Sequence, residues 1–109
     1  EKLSTKKGTS AVYQLRFPKI GRYELVFRMS STLGELAQLP ISVFLNNTLQ
    51  QTVTLNGTEG QTMERVVTLP IRQDGEKYMK LYFGESGIDM HRMFLRYVGK
   101  NDIESIRNE

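Results

Sequence analysis

A chain of 109 residues fills one domain of ordinary size, roughly 100 to 150 residues, and leaves no room for a second. With 39% hydrophobic and 25% charged residues it is too apolar for intrinsic disorder, while runs such as Val43-Phe44-Leu45 fall far short of the roughly 20 apolar residues of a membrane span. The net charge of +3 comes from 15 basic and 12 acidic residues that are interspersed, which argues against nucleic acid as a partner. No cysteine is present, so disulfides, zinc-thiolate sites and cysteine nucleophiles are excluded. The first residue is Glu1, and no basic-then-apolar order of a signal peptide follows, so the chain is expected to be processed or one piece of a longer protein.

In chain order, short stretches alternate apolar with polar residues and are rich in Val, Tyr, Phe, Thr and Leu. They predict strands at 12–17, 23–29, 41–45, 49–55, 63–71, 77–83 and 93–98. Residues 1–10 and 100–109 read as polar extensions, with a single helical turn expected around Ile103 and Ile106. Between the strands, Pro18-Lys19-Ile20-Gly21 supplies a fixed φ followed by a residue that tolerates φ > 0, and Asn46-Asn47 closes a tight hairpin. Asn56-Gly57-Thr58-Glu59-Gly60, Gln73-Asp74-Gly75 and Gly84-Glu85-Ser86-Gly87 mark further reversals, and residues 30–39 form a longer excursion. Seven such strands predict an all-β fold, a two-sheet antiparallel β-sandwich.

Alternation across each strand fixes the inward face. The expected core comprises Tyr13, Leu15 and Phe17; Tyr23, Leu25, Phe27 and Met29; Ile41, Val43 and Leu45; Val53 and Leu55; Val67, Leu69 and Ile71; Met79, Leu81 and Phe83; and Met93, Leu95 and Tyr97. At about 1.5 to 3 kcal/mol for each fully buried large side chain, such a core can offset the ordering entropy of the domain.

The run 11–30, AVYQLRFPKIGRYELVFRMS, resembles the "Y-x-V-x-V-P-x-A-G-x-Y-x-L-x-F-R-x-A" segment of family 6 and family 35 carbohydrate-binding modules, which are galactose-binding-like jelly rolls. Val43-Phe44-Leu45-Asn46-Asn47, Thr58-Glu59-Gly60 and Gly87-Ile88-Asp89-Met90 are similar to three further elements of those families, in the same order. The resemblance implies a jelly roll of about seven to nine strands, a non-catalytic sugar-binding role and an extracellular or cell-surface setting. Two departures accompany it. The resemblance implies a structural calcium, but the opening strands that carry its acidic motif in the families have no counterpart here, so no cofactor is expected from the residues present. Gln61, Thr62 and Met63 stand where the families place an aromatic platform, usually Trp, for the sugar site at the loop end, and the chain contains no Trp.

Catalysis has little support. A glycosidase needs two carboxylates about 5 to 10 Å apart in a cleft. The acidic residues Glu24, Glu35, Glu59, Glu64, Asp74, Glu76, Glu85 and Asp89 instead fall on strand exteriors or in turns. His91, the only histidine, follows Asp89 by two residues without a serine in a nucleophile-elbow pattern, and one histidine with scattered carboxylates gives no metal-ligand spacing. Asp89 and His91 are therefore kept only as a secondary, loop-end polar contact.

Aromatics of the wrong parity say more. Phe44 lies between core positions Val43 and Leu45, and Tyr78 and Tyr82 alternate with Met79 and Leu81, so all three face outward. In the strand order that the resemblance implies, these strands are neighbours flanked by the one carrying Gln14 and Arg16. Rings that stack on sugar C–H faces beside planar polar groups suit a polysaccharide or oligosaccharide; coverage by further strands or a neighbouring domain is the other use of such a patch. Val26, Val66 and Phe94, flanked by Glu24, Arg28, Glu64 and Arg96, form a second outward set that suits a domain interface. The expected function is an accessory module of a larger extracellular carbohydrate-active protein, and the alternative is a structural or protein-interaction module.

Overall fold

The computed structural model describes residues 3–99. These form eight strands: β1 (Leu3–Ser4), β2 (Thr9–Phe17), β3 (Gly21–Ser30), β4 (Gln38–Leu45), β5 (Thr48–Asn56), β6 (Met63–Ile71), β7 (Gly75–Phe83) and β8 (Asp89–Gly99). All pairings are antiparallel, giving one sheet of order β1-β8-β3-β6 and a second of order β2-β7-β4-β5. The expected sandwich is present, with β8 beside β3 in one sheet and β7 in the other. Among the described residues there is no helix, hence none long and apolar enough to cross a membrane. The helical turn expected at Ile103 and Ile106 lies outside the described residues.

The opening segment departs from expectation. Leu3 and Ser4 pair with Met90 and Asp89, and Thr9 and Ser10 already belong to β2, so the polar extension is in fact partly sheet. A strand of two residues is too short to show a period in the sequence.

The core lies between the sheets and is built from the predicted inward rows. Phe17, Leu25, Phe27, Met29, Leu69, Met79 and Leu81 are all buried, joined by Leu39, Ile88 and Met90. Tyr13, Leu15, Val53, Met93, Leu95 and Tyr97 point inward as expected but are only partly buried, most of them on β2 and β8 at the open side of the sandwich. Three bulges interrupt the ladders, at Val98 and His91 on β8 and at Gln50 on β5, and the last two set the faces. The β3–β8 register skips His91, so that Met90 and Met93 both turn inward, and the β4–β5 register skips Gln50.

Turn chemistry matches the sequence. Asn46 and Asn47 both have positive φ, 48° and 70°, as the tight hairpin between β4 and β5 requires. Gly21 has φ 143°, and a Cβ there would lie 2.6 Å from Tyr97 Cε1, so the turn into β3 requires glycine. The Tyr23 hydroxyl donates to the Lys19 carbonyl at 2.7 Å and fixes the same turn.

Candidate functional site

The second sheet turns one face to the core and the other to solvent. β7 is central on that face, between β2 and β4, and its outward residues are Tyr78, Lys80 and Tyr82. Gln14 lies opposite Tyr78 and Arg16 opposite Glu76, while Tyr82 sits between Ser10 and Ser42. Phe44 is opposite Lys80, whose amine stands 4.7 Å from the ring centroid. The fold thus brings the five candidates, Phe44, Tyr78, Tyr82, Gln14 and Arg16, onto one face of one sheet.

Their environments differ. Tyr78 is 58% exposed and Tyr82 41%, so both rings are open to a ligand. Phe44 is half-buried beneath Lys80, so less of its ring is open. The Gln14 side-chain amide donates to Glu76 Oε1 at 3.1 Å, which ties it to β7 beside Tyr78. Ser42 and Thr52 share a hydrogen bond of 2.8 Å on the neighbouring strands and add uncharged polar atoms near Tyr82.

Sequence reasoning missed three members of this face, Val12, Lys80 and Leu49. Val12, 60% exposed, is opposite Lys80 on β2, and Leu49, 54% exposed, is opposite Phe44 on β5, so Val12, Lys80, Phe44 and Leu49 form one row across all four strands. Val12 was legible from its parity. Leu49 was not, because strict alternation back from Val53 turns it inward, and only the bulge at Gln50 reverses that.

Asp89 and His91 lie on the other sheet, apart from the aromatic face. Asp89 Oδ1 accepts the Ser4 hydroxyl at 2.7 Å, and His91 Nε2 shares a hydrogen bond of 2.7 Å with Ser30 Oγ. Both are engaged in holding β1 and β3 against β8. Nearby, the loops at that end are tied to one another: Thr58 is buried, its Oγ1 accepting the Ser31 N–H at 2.9 Å and donating to the Ser31 carbonyl at 3.0 Å, and the Gly60 N–H donates to the same carbonyl at 2.7 Å. The Thr58-Glu59-Gly60 element is therefore a loop clasp, and Gln61, Thr62 and Met63 beyond it are exposed without an aromatic ring.

The residues present do not fit the calcium ion that the resemblance implies. Among the described residues no three His, Asp or Glu groups converge, Glu85 is 3.7 Å from Lys7 Nζ, and Asp89 is bonded to Ser4.

The outward set on the first sheet needs one correction. Val66 and Phe94 are exposed, 45% and 38%, but Val26 between them is fully buried. A valine on an inner strand, flanked by Val66 on one side and the larger Phe94 on the other, is covered by its neighbours even at outward parity.

No known protein-family profile matches the chain. It is 28% identical over 96 residues to a β-glucosidase of Ruminococcus albus, a match that covers 88% of this chain and 10% of the enzyme. Among solved structures, a family 115 4-O-methyl-α-glucuronidase superposes with TM-score 0.76 at 14% identity, over 91% of this chain and 14% of that one. A family 35 carbohydrate-binding module from Clostridium thermocellum gives 0.73 at 14% identity, over 85% of this chain and 73% of that one. The C-terminal family 6 module of a marine laminarinase from Zobellia galactanivorans gives 0.71 at 18% identity, over 84% and 74%. The fold is thus that of the family 6 and family 35 carbohydrate-binding modules. The chain spans only about a tenth of the β-glucosidase and a seventh of the glucuronidase that it matches.

Proposed function

We propose that the chain is a non-catalytic carbohydrate-binding accessory module of a larger extracellular or cell-surface carbohydrate-active protein, and that it holds polysaccharide on the outer face of its second sheet. The observation that carries this reading is the convergence of Tyr78, Tyr82 and Phe44 with Gln14 and Arg16 on one solvent-facing surface. Pyranose rings present apolar C–H faces that stack on open aromatic rings, while their hydroxyls need amides, hydroxyls and guanidinium groups at the rim; this face supplies both. Two independently named carbohydrate-binding modules of the same fold, and a match to a small share of a β-glucosidase, support the accessory role.

A second reading rests on Val66 and Phe94, which leave an apolar strip on the first sheet among Arg28, Arg92 and Arg96. That strip suits a neighbouring domain of the same protein, so a packing role is compatible with sugar binding on the opposite sheet. A glycan-array screen of the chain, followed by affinity electrophoresis on soluble polysaccharides, tests the main reading. Retardation by at least one polysaccharide is expected; retardation by none, from a chain shown to be folded, leaves the packing role alone.

A further inference from the structure

The sandwich has a recess away from the loop clasp. The Asn46-Asn47 hairpin, the end of β6 and the start of β7 enclose an open cleft of about 360 Å³. Its floor is apolar, from Leu45 and Ile71, and its walls include Asn46, Gln73, Arg72 and Lys77. Lys77 is the unusual one. It occupies an inward position two residues before buried Met79, opposite Leu15, and is only half-exposed. An ammonium between two sheets must reach water or an anion, since burial without a partner is costly. Lys77 makes no ion pair or hydrogen bond with any described residue, and neither does Arg72, which belongs to the turn after β6. Two uncompensated cations therefore line one cleft beside two uncharged amides, over an apolar floor.

We propose that this cleft binds a sugar unit carrying an anionic group, a carboxylate or a sulfate ester, with Arg72 and Lys77 on the charge and Asn46 and Gln73 on the hydroxyls. The proposal rests on the carbohydrate reading above and extends it. Asn46 links the two places: its Oδ1 accepts the Tyr78 N–H at 3.0 Å, and its Nδ2 has no partner among the described residues. A glycan lying on Tyr78 thus has the cleft at its next step. Paired cations recognise anionic oxygens through charge-assisted hydrogen bonds, and the amides give a preference for a sugar over a bare anion.

Amide NMR spectra of the whole chain, titrated separately with glucuronate, glucose 6-sulfate, glucose and inorganic sulfate, test it. Saturable shifts at Asn46, Gln73 and Lys77 are expected with an anionic sugar and not with glucose; which of the two sugars acts tells carboxylate from sulfate ester. Arg72→Ala and Lys77→Gln should each weaken this binding roughly tenfold, the loss of one charge-assisted contact. Silence with both anionic sugars, unchanged affinity in both folded variants, or equal shifts with inorganic sulfate, an adventitious ion only, overturns the proposal. A neutral oligosaccharide that moves the amides of Tyr78 and Tyr82 while the anionic sugars are silent removes this site and leaves the aromatic face standing. The converse pattern keeps the site and removes the aromatic face.

Discussion

Removing the two tyrosine rings is the perturbation whose size the structure predicts most directly. Tyr78 is 58% and Tyr82 41% exposed. An aromatic side chain carries about 150 to 250 Å² of surface, so each ring leaves roughly 100 Å² open, and a sugar lying on one face covers about half of it. At about 25 cal/mol per Å² that is roughly 1 kcal/mol for each ring, close to a tenfold change in Kd. The rings are four positions apart on β7, about 13 Å at the rise of an extended strand, so their losses should add to roughly a hundredfold in the Tyr78→Ala, Tyr82→Ala double variant. Both side chains lie outside the core, so thermal stability should change by no more than about 0.5 kcal/mol. Affinity electrophoresis on the best soluble polysaccharide, with melting curves as the control, reads both effects. Unchanged retardation in the double variant, with loss on changing Asp89 or His91, would show that parity has selected the wrong surface.

Leu81→Ala removes a fully buried side chain from the centre of the second sheet, and urea titration should show a loss of about 2 to 5 kcal/mol through cavity formation. Leu25→Ala should behave alike on the first sheet. Thr58→Val deprives the buried Ser31 amide of its hydroxyl partner and should cost about 1 to 3 kcal/mol by the same assay; no change would mean that the loop clasp is redundant. Incubation with glycans should release no reducing ends, and turnover that a single Glu or Asp substitution abolishes would contradict the non-catalytic reading.

Most of the fold was legible because alternation is strict where a sheet has one wet face. Leu25, Phe27 and Met29, or Met79, Leu81 and Phe83, can point only one way if the core is to be dry. What escaped was governed by local irregularity. The skipped residues Gln50 and His91 change the parity of what lies beyond them, which places Leu49 on the aromatic face and Met90 in the core. Val26 shows the complementary error: parity gives direction, but exposure depends on the flanking strands. The aromatic set was readable from parity and strand order together. The cleft around Arg72 and Lys77 was not, because it exists only where the ends of two sheets meet.

The proposed function stands or falls with glycan lying on the outer face of the second sheet. A crystal structure of the chain with the oligosaccharide selected by the array tests it most directly. Sugar rings should lie against Tyr78 and Tyr82, with hydroxyls reaching Gln14 and Arg16. Sugar bound instead between the loops beside Asp89 and His91, with both tyrosines bare, would contradict it.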